Sequence, residues 1–484
     1  MKALALLSVA TLWGCTVGPD FQPPAAPDTQ TYTRDAQATT TVAASGVAGS
    51  SQTFVDALHT TPAWWTQFHS DALNQLVDQA LQHSPTLAQA RAKLIEAREN
   101  YTAQAGTIEF PVIDAKVSGV RQQVDLASFG IPNISNPGPF TLYNVSVSIS
   151  YALDLFGGNR RALEALMAQV DYQSFEFEAA RLTLAGNVVS TAVRRASLQQ
   201  QIALTQRIIN AQAQQLTIAE GRFAAGGVSQ LDVRSQRTLL AQTQASLPPL
   251  ATQLAQTDHQ LAILLGVPPS KAEFSDIALE SLRLPETLPV TLPSTLARER
   301  PDIRASEALL HQASANVGVA TANLYPQFVI SAGIGSERTS MGDVVNGLNI
   351  WNVGLNLAQP IFHGGALRAQ KRSAQAAYDA ALASYQQTVL QALQQVADTL
   401  TALQNDARTL QARDEATQQA QASLDIASAQ YAAGGVSQTA LLDTQRQALQ
   451  TALDRTRAQA DRFADTAALS QSLGGGWQVT ASRQ

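Results

Sequence analysis

Several residue types and motifs that carry chemistry are scarce or missing in this chain of 484 residues. A single cysteine, Cys15, excludes an intramolecular disulfide. The six histidines are scattered, with neither a His-x-x-x-His pair nor a cysteine companion, so the sequence indicates no metal site. Neither a Gly-x-x-x-x-Gly-Lys phosphate loop nor a Gly-x-Ser-x-Gly nucleophile elbow occurs. We therefore expect no catalytic residues, no resident metal and no dissociable cofactor.

Charge and aromatic residues are scarce as well. Only 14% of the residues are charged and 6% are aromatic, and the formal net charge is -6. Nucleic-acid binding needs a basic surface, so this balance argues against a nucleic-acid partner. Uncharged Ala, Gln, Thr and Ser fill the gap, which favours helices that are wet on one side without a strong electric field.

The first residues are typical of a bacterial export signal. Lys2 precedes an apolar run from Ala3 to Trp13, which is too short to span a bilayer. Leu12-Trp13-Gly14-Cys15 then resembles a lipobox, in which the cysteine receives lipid. We expect residues 1–14 to be removed and Cys15 to carry a covalent lipid that anchors this end of the chain. The alternative is an ordinary signal peptide that ends beside a stray cysteine.

The segment that follows the cysteine has a composition that buries little. Residues 15–60 are rich in Pro, Thr, Ala, Ser and Gly, which predicts a segment that runs extended over the surface. With the lipid on Cys15, it would be a lipidated N-terminal segment. The motif Pro62-Ala63-Trp64-Trp65 is expected to begin the ordered part.

The remaining chain contains an internal duplication. Ala224–Gln230 recurs letter for letter as Ala432–Gln438. Further anchors match in the same order: Ser84-Pro85 with Arg300-Pro301, Phe156-Gly157-Gly158 with Phe362-His363-Gly364-Gly365, and Leu265-Gly266 with Leu473-Gly474. A repeat of roughly 200 residues is far longer than a solenoid unit. We therefore expect two structural halves, 61–283 and 300–476, with a connection at 284–299 and a tail at 477–484.

Each half contains two segments with the alternation of β-strands, and in the first half a helical stretch is expected before them, from about Asp71 to Gln104. In Asn144–Leu153, apolar residues alternate with serine and alanine, and its partner is expected near Val112–Gln122. The counterparts are Gln327–Gly335 and Trp351–Leu357. Transmembrane barrel strands need about 9–11 residues, apolar outside and polar inside. Four strands cannot close around a pore, so several chains are expected to supply one barrel. The alternative is a half-buried sheet packed on helices.

A very long helix is predicted after each pair of strands. Neither about 159–223 nor about 366–431 contains proline. The second carries a coiled-coil seam with alternating spacings of three and four residues, at Leu393, Val396, Leu400, Leu403, Ala407 and Leu410. Glycine pairs reverse the chain, and return helices are expected over about 230–265 and 438–473.

Other motifs complete a resemblance to a known family. They are Cys15-Thr16-Val17-Gly18-Pro19-Asp20-Phe21, Trp65-Thr66-Gln67-Phe68, Arg300-Pro301-Asp302-Ile303-Arg304, Pro360-Ile361-Phe362, and Tyr431 followed by Leu442-Asp443-Thr444-Gln445-Arg446. The chain resembles the TolC/NodT-type outer membrane factors, the exit ducts of Gram-negative tripartite efflux pumps. The resemblance implies a mixed α and β homotrimer with a twelve-stranded outer-membrane β-barrel, four strands per chain, continued by an α-helical coiled-coil tunnel in the periplasm. Its partners would be a periplasmic adaptor, an inner-membrane pump and outer-membrane lipid.

The resemblance also assigns roles to individual residues. Asp443 would form the carboxylate ring of the periplasmic aperture, while Ala440 stands where some members carry a second acid. Asp232 would tie the helix pairs together with Tyr431 as its partner, although Val436 stands where some members have a basic residue. The hairpin tips, Gly226-Gly227 and Gly434-Gly435, would dock on the adaptor. The alternative for each aspartate is a solvated helix surface.

Two other functions are compatible with this sequence. The same duct could serve protein secretion, which would be distinguished by whether its deletion affects drug sensitivity or an exported polypeptide. A coiled-coil lipoprotein that tethers envelope layers would show no conductance and would leave the alternating strands unexplained. We favour passive efflux of small molecules over both.

Overall fold

The computed structural model describes residues 16–475, apart from 35–37, 57–61, 127–129, 131–132 and 134. Cys15, the expected signal peptide 1–14 and the tail 477–484 lie outside these residues. The chain divides into two compact units. The first comprises 16–24, 93–173 and 306–385, and the second comprises the described parts of 25–92, 174–305 and 386–475.

The elements follow the chain in an order that occurs twice. The first series is β1 (Thr53–Asp56), α1 (Asp71–His83), α2 (Pro85–Glu109), β2 (Val112–Gln122), β3 (Phe140–Leu153), α3 (Gly158–Ala224), α4 (Gln230–Ala245) and α5 (Leu247–Leu264). The second is β4 (Thr287–Val290), α6 (Pro293–Glu299), α7 (Pro301–Ala322), β5 (Gln327–Arg338), β6 (Ile350–Ala358), α8 (Ala366–Ala432) and α9 (Gln438–Ser472). Each series thus contains a short strand, two helices, two long strands, a helix of 67 residues and a return.

Two segments that were expected to be single helices each contain a break, and proline explains both breaks. The helix predicted over about Asp71–Gln104 is two helices, because Pro85 restricts Ser84 to the extended backbone that ends α1. The first return was expected to run unbroken over about 230–265, but it stops at Ser246. Pro248 and Pro249 lack the N–H groups that a continuing helix would need, so α5 begins anew. Its counterpart α9 has no proline and is continuous over 35 residues.

The first unit holds a four-stranded antiparallel sheet in the order β2-β3-β5-β6. The two hairpins meet in the middle, where β3 pairs with β5 from Tyr143↔Arg338 to Leu153↔Phe328. The expected strands are confirmed, and β3 and β5 extend beyond the predicted bounds. Strands β2 and β6 form the two edges of this sheet.

The second unit is built mainly from helices around an apolar core. Aromatic rings of Trp64, Trp65, Phe68 and Phe463 make edge contacts in this core. The predicted seam of α8 is buried: Val396, Leu400, Leu403, Ala407 and Leu410 are each at most 1% exposed. Part of this seam packs with Leu469 and Leu473 and with Leu288 and Leu296 of the connection between repeats.

The expectation that residues 15–60 bury little was wrong for the part within the second unit. Gln52 is fully buried and Thr41 and Ala48 nearly so. Strand β1 pairs in parallel with β4. The guanidinium of Arg462, which is itself fully buried, donates to the carbonyls of Ala48 and Ser50 at 2.5 and 2.6 Å and to the Thr41 hydroxyl at 2.9 Å. A buried guanidinium needs acceptors, and this segment supplies them.

Candidate functional site

One face of the four-stranded sheet is apolar and uncovered. The strand alternation places eleven large apolar side chains on it, each 40% or more exposed. They are Ile113, Val117, Val145, Val147, Ile149, Ile330, Ile334, Trp351, Val353, Leu355 and Leu357. Burial of apolar surface stabilises by about 25 cal/mol per Å². A continuous band of this kind therefore favours an apolar environment over water.

The opposite face of the same sheet is small and polar. Ser148 of β3 lies opposite Asp114 of β2, and Ser146 lies opposite Lys116. On the other side of β3, Ser150 lies opposite Ser331 of β5. Asn144 of this face donates a hydrogen bond of 3.2 Å to Glu337. Such side chains leave open space and attract water, so the two faces of the sheet suit two different solvents.

The strands have the lengths and the free edges of a barrel segment. They contain 11, 14, 12 and 9 residues, in chain order. No strand of the described chain pairs with the outer edge of β2 or of β6. Free backbone N–H and C=O groups on a sheet edge are a template for another strand, and in an apolar medium they must be paired.

The two hairpin tips end their long helices with the same backbone motif. Gly226 N–H donates to the Phe223 carbonyl at 2.9 Å, and Gly227 N–H donates to the Arg222 carbonyl at 2.7 Å. Gly434 and Gly435 repeat this pattern with Tyr431 and Gln430 at 3.1 and 2.7 Å. These are Schellman motifs, whose first glycine must adopt a left-handed backbone. The φ angles of Gly226 and Gly434 are 75° and 78°.

The returning helices begin differently in the two repeats. Ser229 Oγ accepts from Asp232 N–H at 3.2 Å, and the Asp232 carboxylate accepts from Ser229 N–H at 2.9 Å, which completes a capping box. Ser437 also caps its helix, by accepting from Ala440 N–H at 3.3 Å. Ala440 has no carboxylate to return the bond, so only the first tip has the reciprocal pair.

The structure does not bring Asp232 and Tyr431 together within the chain. The Asp232 carboxylate bonds to Ser229, as described above. The ring of Tyr431 instead lies against Arg222, whose guanidinium carbon is 5.5 Å from the ring centroid. The buried Tyr431 hydroxyl has no hydrogen-bond partner among the described residues. A cation therefore does lie beside this tyrosine, and it comes from the first tip rather than from position 436.

Asp443 lies on the exposed surface of α9, in the second turn of the helix. Its side chain is 56% exposed and forms an ion pair with Arg446 on the next turn. Leu441 and Leu442 beside it are buried. The carboxylate is thus directed away from the packed side of its helix and is available to a partner or to a pore.

Sequence reasoning missed a set of buried glutamines that join the two helical hairpins. Gln438 Nε2 donates to Gln236 Oε1 at 2.8 Å, and Gln236 Nε2 donates to the Gln212 carbonyl at 3.4 Å. Gln445 donates to Gln215 in the same region. Buried amides pair with one another here, although Oε1 of Gln438 and of Gln445 has no hydrogen-bond partner among the described residues. A periodicity of apolar residues gives no signal for such pairs.

A group of carboxylates in the second unit was also missed. Burial, as the largest cause, and the neighbouring carboxyl of Asp465 raise the pKa of Asp406 to about 7, while Arg462 opposes the shift. Burial and the charge of Asp406 also raise the pKa of Asp461.

The described residues contain no cluster of His, Cys, Asp or Glu able to hold a metal ion. Within the same residues, no helix is both long enough and apolar enough to cross a membrane.

Comparison with known proteins identifies a family. The sequence profile of the "Outer membrane efflux protein" family matches two successive segments, 76–267 and 292–475, which together make up most of the chain. The chain is 32% identical to the pyoverdine export outer membrane protein OpmQ of Pseudomonas putida, over 86% of this chain and 88% of that protein. It is 31% identical to the solvent efflux pump outer membrane protein SrpC of Pseudomonas putida, over 99% of both.

Solved structures give the same result at the level of the fold. The outer-membrane channel OprN is 29% identical, with a TM-score of 0.84 over 96% of this chain and 100% of that chain. The open state of the MtrE outer membrane channel of Neisseria gonorrhoeae is 25% identical, with a TM-score of 0.81 over 96% and 98%. The chain therefore belongs to the outer membrane efflux protein family, whose members are channels rather than enzymes.

Proposed function

We propose that this chain is the passive exit duct of a tripartite efflux system, carrying small molecules across the outer membrane. The observation that carries the proposal is the two-faced sheet, with its apolar band on one side and its small polar side chains on the other. An apolar face suits lipid and a polar face suits a water-filled lumen. Similarity to a solvent efflux protein and to pyoverdine export proteins supports small, partly apolar cargo.

Three copies would complete the membrane part. Each chain contributes four strands and leaves the edges of β2 and β6 free. Joining these edges between copies satisfies their backbone groups, and three chains give twelve strands. The long helices α3 and α8, with their returns, would then form a coiled-coil tunnel in the periplasm. Their abundant uncharged polar side chains are compatible with a wet interior.

The same proposal places the N-terminus at the outer membrane. A lipid on Cys15 would anchor the N-terminus in the outer membrane. Val17 N–H donates to the Phe156 carbonyl at 3.1 Å, so the residue two positions after Cys15 is held close to the end of β3. At no more than about 3.6 Å per residue, the lipid would enter the membrane within a short reach of the sheet.

The periplasmic end would be closed by the hairpin tips. Three copies of the exposed Asp443 would form a carboxylate ring that attracts cations and resists leakage. The Gly226-Gly227 and Gly434-Gly435 turns would meet a periplasmic adaptor, which connects the duct to an inner-membrane pump. The duct has no energy source of its own and depends on that pump.

Single-channel conductance in planar bilayers tests the proposal. We expect small cation-selective openings from the purified protein, and larger, less selective openings from Asp443→Ala. Asp398→Ala removes another exposed carboxylate from a long helix and serves as the matched control. Unchanged conductance in Asp443→Ala would count against the aperture assignment. An inserted protein that never opens would favour the envelope-tethering alternative.

A further inference from the structure

Two aromatic side chains of the first unit are far more exposed than their counterparts in the other repeat. Phe362, which follows β6, is 85% exposed, and Phe110, which precedes β2, is 64% exposed. Both lie on short segments next to the sheet rather than on its apolar face. Large apolar side chains in such positions call for a partner.

The internal duplication identifies the counterparts. Phe156 begins the Phe-Gly-Gly sequence after β3, as Phe362 begins Phe-His-Gly-Gly after β6. Tyr325 stands between α7 and β5 and is followed by Pro326. Phe110 stands between α2 and β2 and is followed by Pro111. Phe362 is thus the equivalent of Phe156, and Phe110 is the equivalent of Tyr325.

The counterparts form a stacked pair within the chain. The ring centroids of Phe156 and Tyr325 are 4.8 Å apart, with an angle of 21° between the planes. This pair sits where β3 of the first repeat lies beside β5 of the second, so it bridges the boundary between repeats. An offset stack of this kind adds stabilisation beyond the burial of the two rings.

The sheet order shows where the second pair must form. By the same equivalence, β6 corresponds to β3 and β2 corresponds to β5. The neighbour of β6 that matches the β3–β5 junction is therefore a β2 strand, but β6 and β2 are opposite edges of the same sheet. Only another copy of the chain can bring its β2 beside β6.

We infer that Phe362 of each copy stacks on Phe110 of the next copy. The contact repeats at each subunit boundary the aromatic stack that Phe156 and Tyr325 make inside the chain. The inference rests on the proposed assembly of several copies into one barrel. It adds the side-chain contact that fixes how neighbouring copies align, and it gives the two exposed rings a partner.

Pairwise cross-linking tests the contact in the purified, detergent-solubilised protein. We would treat Phe110→Cys/Phe362→Cys with a short bis-maleimide and analyse it on a denaturing gel. Phe156→Cys/Tyr325→Cys is the matched calibration, because its product must lie within one chain and be found as a linked peptide by mass spectrometry. We expect covalent dimers and trimers from the first pair and none from either single variant, which also controls for Cys15.

The outcomes separate the contact from the assembly. Light scattering gives the mass of the particle independently. A trimer in which the calibration pair links but Phe110→Cys/Phe362→Cys gives no intermolecular product would overturn the inference. This is the result expected if the two rings contact lipid instead of each other. A particle that is not an oligomer would refute the proposed function first.

A double-mutant cycle gives a second, independent measure. Phe110→Ala and Phe362→Ala should each accelerate subunit dissociation. The double variant should dissociate about two- to tenfold more slowly than the rate obtained by multiplying the two single effects. Ile361→Ala, at a neighbouring side chain that is 94% exposed, is the control. Effects that simply multiply would contradict a direct contact between the rings.

Discussion

Gln438, the first residue of α9, donates a hydrogen bond of 2.8 Å to Gln236 of α4, and both side chains are buried. This bond joins the helical hairpins of the two repeats close to their tips. Leucine or alanine is the usual occupant of such a position between helices. A polar pair instead specifies one alignment, because any shift leaves a buried amide without its partner.

Removal of one glutamine should therefore cost more than removal of both. Gln438→Ala leaves the buried Oε1 of Gln236 without its donor, at a cost of about 1–3 kcal/mol. Gln236→Leu/Gln438→Leu replaces both groups and should lie closer to the wild type. Thermal unfolding followed by helical circular dichroism measures the order, with the exposed Gln447→Ala as control. If the double leucine variant were the least stable of the set, the hydrogen bond would not be the source of the effect.

The tips should tolerate alanine at the second glycine but not at the first. Gly226 has a φ of 75°, and an L-residue there costs about 1 kcal/mol. Gly227 has no such conformation, and a Cβ on it would meet the carbonyl oxygen of Arg222 at 3.4 Å and the Cβ of Arg222 at 3.9 Å, which are ordinary contacts. Gly226→Ala should thus lower the unfolding temperature and Gly227→Ala should not. The pair Gly434→Ala and Gly435→Ala should behave alike, and equal effects within a pair would contradict the Schellman assignment.

Release of the N-terminal segment should follow the loss of one arginine. Arg462 donates hydrogen bonds to the Ala48 and Ser50 carbonyls and to the Thr41 hydroxyl. Arg462→Met keeps the apolar stem but removes all the donors, so the carbonyls lose their partner. Limited proteolysis should then cut within 38–56 faster than in the wild type. Arg457→Met, at a side chain that is 53% exposed, is the control and should leave the cleavage rate unchanged.

Much of the architecture follows from local patterns in the sequence. The alternation in Asn144–Leu153 is imposed by two solvents on two faces, so it predicts a strand without knowledge of its neighbours. Proline-free stretches and glycine pairs likewise predict the long helices and their turns. The helix breaks at Ser84 and Ser246, which were not predicted, also have local causes. Ser84 directly precedes Pro85, and Ser246 lies two residues before Pro248.

The contacts that the sequence did not predict depend on partners far away in the chain. Thr41 and Arg462 are separated by 421 residues, and neither stands in a recognisable motif. The polar composition of the N-terminal segment predicts exposure, but a buried guanidinium needs just such carbonyls and hydroxyls. Composition likewise favours a wet helix surface for a glutamine such as Gln236, although this side chain is buried against another glutamine. Polar residues have two environments in which they are satisfied, and composition alone does not choose between them.

The raised pKa of Asp406 predicts that the free energy of unfolding changes with pH in a definite direction. Burial and the neighbouring carboxyl of Asp465 together raise the pKa of Asp406 from 3.8 to about 7. The folded state therefore binds more protons than the unfolded state between about pH 4 and pH 7. Stability is greatest below this window and falls as the pH rises through it, and above pH 7 this contribution no longer changes.

Substitution by an amide should remove most of that slope. Asp406→Asn cannot ionise, so its unfolding temperature should vary less between pH 5 and 8 than that of the wild type, while Asp398→Asn on the same helix should retain the wild-type slope. Arg462 lies beside the pair and opposes the shift, so Asp406→Asn also removes one favourable charge from the guanidinium. That attraction acts only on the ionised form of Asp406, so it is already contained in the raised pKa and its loss is part of the change in slope. An unaltered slope in Asp406→Asn would mean that the proton taken up on folding resides on another group.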